Sequence, residues 1–160
     1  MKLNIVGSIF GIDGYNAHCK QLAGALYELN PDIKLDVPLP PDWMRNVNDA
    51  ELVMISKENR VPDVTIAITT PPNWRSCMND NSKFVGVCVW EGDVIPLFWT
   101  EYLFDRNVDM IFVPSNHTKN AIINTLKINK DILNDKDIEN IINKIRIVPH
   151  GVSQSIFNPK

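Results

Sequence analysis

Six short apolar runs, ended by glycine, proline or a polar turn and alternating with stretches of helical periodicity, constrain this chain more than any other feature. They are Leu3 to Ile9, Ile33 to Val37, Val64 to Thr69, Phe84 to Trp90, Met110 to Val113 and Ile145 to Val148. Near-continuous apolar runs of this length fit strands buried on both faces, which is the condition of a parallel sheet. Ile33, Leu35 and Val37 alternate with Lys34 and Asp36, so that strand has one face less buried. Parallel neighbours need crossover connections, and those connections are right-handed. The pattern therefore predicts an α/β, Rossmann-like open sheet, mostly parallel, of about six strands with helices on both faces.

The crossovers can be placed by their own signals. Asn16 is the expected N-cap of a helix carrying Leu22, Ala25, Leu26 and Leu29, which Asn30-Pro31 stops. Pro38-Leu39-Pro40-Pro41 ends the second strand, and Val47 to Ser56 form a short helix capped near Asn48 or Asp49. Asn73 to Ser82 lack a pattern and are expected as a loop. Pro96 opens a helix through Phe104, and Ser115 or Asn116 caps another that runs to Leu126. Within Asn129 to Lys144, the isoleucines 138, 141 and 142, with Ile145 beyond, mark an inserted amphipathic helix on the surface.

Composition narrows the function classes. A chain of 160 residues with 44% hydrophobic and 22% charged content suits one soluble domain with a real core. Sixteen basic and 19 acidic residues give a net charge of -3 with no long block of one sign, which argues against nucleic acid as a partner. Cys19, Cys77 and Cys88 lack metal or dithiol spacing and read as reduced thiols. No apolar run approaches the ~18 residues of a membrane span, and no signal peptide is legible, so the expected compartment is the cytoplasm.

In an open parallel sheet, ligands sit beyond the carboxyl ends of the strands at the switch in strand order. That edge should carry Phe10 to Gly14, Thr70 to Asn73, Trp90 to Asp93 and Ser115 to Thr118. Gly11 and Gly14 precede a helix and could let the backbone approach a phosphate, although Gly7, Gly11 and Gly14 do not form the dinucleotide fingerprint. The alternative is a turn needing positive φ. Asp36, at the end of the second strand, keeps a dinucleotide-ribose reading open.

Glu91 and Asp93 are the candidate catalytic pair, since a carboxylate there could accept hydrogen bonds from sugar hydroxyls or assist their deprotonation. Trp90 could offer its face to a sugar ring. The competing reading makes Trp90 core and Asp93 a helix cap. His18 and His150 are candidates for lining the cleft. No histidine pair or cluster argues for a metal.

Three stretches together resemble the N-terminal domain of GT-B glycosyltransferases of the retaining family four. They are Gly11-Ile12-Asp13-Gly14-Tyr15-Asn16 with its helix, and Trp90-Glu91-Gly92-Asp93-Val94-Ile95-Pro96 followed by Asp109 to Ser115. The third is Ile145-Arg146-Ile147-Val148-Pro149-His150-Gly151-Val152 with Phe157-Asn158-Pro159. Two departures stand out: the Asn129 to Lys144 connection is long, and the family's frequent histidine-aspartate is here Glu91 and Asp93. The resemblance implies that residues 1–152 are the acceptor-side half of a GT-B fold and that 153–160 begin an interdomain linker. It implies Gly11 and Gly14 near the donor diphosphate, Glu91 near the acceptor or transferred sugar, and Ser115 and His150 along the cleft edge. The nucleotide-sugar donor would bind a second domain, in cis or on a partner chain, so no cofactor is expected in this chain. The acceptor would be a carbohydrate or lipid-linked hydroxyl, and the chain alone should be inactive. The alternatives are a small nucleotide-binding Rossmann module, of NAD(P) or regulatory type, and a non-enzymatic interaction module using Trp74, Trp90 and Trp99.

Overall fold

The structure is a computed structural model that describes residues 1–11, 13–38 and 47–151. Ile12, most of the Pro38 to Pro41 stop and the 153–160 linker therefore lie outside the described residues, as do Val152 and Phe157 to Pro159 of the resemblance. The strands are β1 (Leu3–Val6), β2 (Ile33–Asp36), β3 (Val64–Ile68), β4 (Lys83–Val87), β5 (Met110–Val113) and β6 (Ile145–Ile147). They form one six-stranded sheet in the order β2-β1-β3-β4-β5-β6. Every pairing is parallel. The direction of travel reverses at β1, so the switch in strand order lies between β1 and β3.

Two apolar layers hold the sheet. One face packs Ile5, Leu35, Ile66 and Val87 against helices α1 (Gly14–Leu29) and α2 (Asp49–Ile55), through Cys19, Ala23 and Met54. The other packs Phe84, Ile111, Val113 and Ile145 against α3 (Thr100–Leu103), α4 (Asn116–Ile128) and α5 (Asp135–Lys144). Ile138 and Ile141 of α5 are buried in this second layer, so the segment expected as a surface insertion covers the end of the sheet. Its apolar stripe faces the core and Asp135, Lys136 and Glu139 face water, as the 3.6-residue period requires.

Local chemistry moves two expected boundaries. Asp13, not Asn16, caps α1, accepting from the Asn16 amide at 3.0 Å, and Asn16 is a buried helical residue. Asp at this position satisfies an otherwise orphaned N–H and complements the helix dipole. The expected Asn73 to Ser82 loop begins inside a 3-10 turn, Pro71–Cys77, that buries Trp74 completely. The ring lies over Gly86, where any Cβ would come within 2.5 Å of the indole, and the indole N–H donates to the Thr69 carbonyl at 3.0 Å. At α2, where the sequence leaves Asn48 or Asp49 as the cap, Asn48 takes the role and forms a complete capping box with Glu51.

Candidate functional site

The carboxyl-end edge is built around the segment that follows β4. Strand pairing ends at Val87, earlier than the apolar run to Trp90, although the Cys88 amide still donates to the Phe112 carbonyl at 2.9 Å. The next residues bend, and α4 holds them by a ladder of side chains on one of its faces. His117 Nε2 donates to the Glu91 carbonyl at 2.9 Å, and Thr118 Oγ1 to the Trp90 carbonyl at 3.1 Å. Two turns on, Asn124 Nδ2 donates to the Asp93 carbonyl at 3.2 Å, and Thr125 Oγ1 accepts from the Ile95 amide at 2.8 Å. From the opposite layer, Tyr15 Oη donates to the Val89 carbonyl at 3.1 Å. Burial pushes the Tyr15 phenol up to about 12, so at neutral pH it is a fixed donor and not an acid or base.

This clamp grips backbone and leaves side chains free. Glu91 and Asp93 are exposed, and among the described residues neither carboxylate has a hydrogen bond or ion pair. Asp93 caps no helix: the turn Leu97–Trp99 starts at Pro96 without any side-chain cap. Trp90 is half-buried, set edge-on to Trp99 with ring centroids 5.0 Å apart, and its N–H donates to the Val94 carbonyl at 2.6 Å. It is thus partly core and partly available at the edge.

Ser115, expected at the cleft edge, caps α4 by accepting from the Thr118 amide at 3.2 Å. Its hydroxyl also lies 3.4 Å from Thr118 Oγ1, and because Thr118 donates to the Trp90 carbonyl, Ser115 is the donor in that contact. At the ends of α1 and β6, His18 and His150 come together with ring centroids 4.1 Å apart. Burial, with the His150 charge adding to it, pushes His18 down to about 4, and its Nδ1 is buried without a partner among the described residues. No hydrogen bond or ion pair among the described residues links these histidines to Glu91 or Asp93.

Crowding accounts for one glycine of the loop, Gly11, and not for Gly14. No described glycine has positive φ, which removes the turn explanation. A Cβ on Gly11 would collide with the Asn16 carboxamide, whose Cγ lies 2.8 Å away, whereas Gly14 faces open space. The Asp13 carboxylate already takes the Asn16 amide, leaving the N–H groups of Gly14 and Tyr15 as those an α1 helix cannot satisfy internally. Asp36 holds Lys34 at 2.5 Å with one oxygen and Asn4 at 2.8 Å with the other, so a ribose would have to share the carboxylate with two internal donors.

Of the residues that set this geometry, the sequence puts His117 and Thr118 on the carboxyl-end edge and Tyr15 in the glycine-loop motif without giving them this role, and it does not single out Asn124 or Thr125. The signal for the α4 residues is a polar pair repeated seven residues later on the helix after β5, which places both pairs on one face. Among the described residues no three His, Cys, Asp or Glu side chains converge as a metal site, and no helix is long and apolar enough to cross a membrane. Against known protein families, curated proteins and solved structures, the chain finds no match.

Proposed function

We propose that this chain is the acceptor-binding domain of a retaining GT-B glycosyltransferase, with the nucleotide sugar held by a second domain in cis or in trans. The observation that carries the reading is Glu91: an exposed, unpaired carboxylate on a segment whose backbone four α4 side chains hold still. Such a group suits reception of an acceptor hydroxyl, because the clamp settles the position of the backbone before the acceptor arrives. The motif resemblance supplies the reaction class, and the Asp36 contacts weigh against the dinucleotide alternative. Trp74 and Trp99 are buried, which removes two of the three aromatics an interaction module would display.

In this mechanism Glu91 accepts a hydrogen bond from the acceptor hydroxyl, Trp90 offers its open edge to the ring, and Ser115 and His150 border the cleft. Gly14 and Tyr15 amides would meet the donor's phosphates at the mouth of α1, across from the second domain. Stabilising the departing diphosphate needs that second domain, so one half cannot turn over. The test is a transfer assay on purified residues 1–160 with a panel of nucleotide sugars and alkyl glycosides. No turnover above the blank is expected; robust transfer by the chain alone contradicts the reading.

A further inference from the structure

Val94, Leu97 and Phe98, three large apolar side chains within five residues, are 45%, 48% and 61% exposed immediately after the Glu91 and Asp93 carboxylates. Slack does not explain this exposure. The Ile95 amide is held by Thr125 at 2.8 Å, the Val94 carbonyl by the Trp90 indole at 2.6 Å and the Leu97 carbonyl by the Thr100 hydroxyl at 2.6 Å. Apolar groups gain by leaving water, so a rigid segment that holds three of them exposed marks a contact surface.

The charges around this patch select its occupant. Glu91 and Asp93 precede it, and Glu101 stands on α3 three residues past Phe98. Glu101 is paired with Arg75 at 3.4 Å, and Arg75 also holds Asp105 at 3.1 Å and lies over the Tyr102 ring. His117 is turned to the Glu91 carbonyl. An apolar surface that follows two carboxylates, Glu91 and Asp93, without an ion pair among the described residues repels anionic lipid and diphosphate-linked acceptors and attracts an apolar body bearing a protonated amine.

Resting on the acceptor reading above, we infer that the acceptor is a small cationic amphiphile: its apolar part covers Val94, Leu97 and Phe98, and its ammonium group lies against Glu91 and Asp93. The test titrates the isotope-labelled chain with n-octylammonium, n-octyl β-glucoside and octanoate, each below its micelle concentration, and follows amide shifts. Shifts within residues 91–101 are expected, with the ammonium probe binding about fivefold or more tightly than octanoate. Glu91→Gln with Asp93→Asn should abolish that preference while leaving apolar binding. Phe98→Ser should weaken all three probes, with circular dichroism confirming that the variant is folded. Equal affinities for the three probes, silence at 91–101, or self-association of the unliganded chain through Phe98 each overturn the inference. Because the titration requires no sugar transfer, it fails or succeeds separately from the transferase assay.

Discussion

At the residue scale, His18 shows how a side chain can be well placed and still costly. Its ring is buried and tilted against His150, and its Nδ1 finds no partner among the described residues, so the fold disfavours the charged form and holds its pKa down near 4. In the unfolded chain the ordinary value, near 6.5, returns. Between those values the unfolded state binds the extra proton, so stability is greatest above about pH 6.5 and falls as pH drops toward 4. Carboxylates held below their ordinary value, such as Asp32 hydrogen-bonded to Arg60, lose their contribution only at lower pH. His18→Phe should therefore flatten the urea midpoint between pH 7 and 4.5. An unchanged slope in the variant rules out His18 as the titrating group.

At the element scale, the account turns on the α4 ladder. Thr125 takes the buried Ile95 amide and donates to the Ala121 carbonyl at 3.0 Å, joining the clamp to the helix's own backbone. Thr125→Val keeps the shape but strands a buried N–H, which should cost about 1–3 kcal/mol in urea denaturation. Thr125→Ser should recover most of the loss. Equal stability of the valine and native proteins would mean that the segment is held by something other than this ladder.

Much of this was legible before any coordinates. Apolar runs and their glycine or proline stops located all six strands, because burial on both faces leaves an unbroken apolar signal. What stayed hidden were contacts between distant residues. Asn16 and Asp13 both suit a cap, and Asp13 takes it while the Asn16 carboxamide packs close against Gly11. Trp74 looked like part of a loop because nothing local announces that Gly86, twelve residues on, leaves a space for its ring. The site followed the same rule: sequence marked Glu91 and Asp93 by their place after a strand, but not the α4 side chains that fix them.

For the whole molecule, the fold arranges its parts along one edge. The switch sets the end of β1 beside that of β3, the carboxylate segment follows β4, Ser115 follows β5, and His150 beyond β6 meets His18 of α1. Charge is spread without a dominant sign, so recognition at this edge must come from local groups and not from a long-range field. The most direct test is an amide-shift map of the chain titrated in parallel with methyl glycosides and with NAD. The account predicts shifts at Trp90 to Asp93 and Ser115 to Thr118 with the glycosides, and little response to NAD. Glycosides that leave those amides unmoved, with NAD shifting Gly7 to Tyr15 and Asp36, would contradict it.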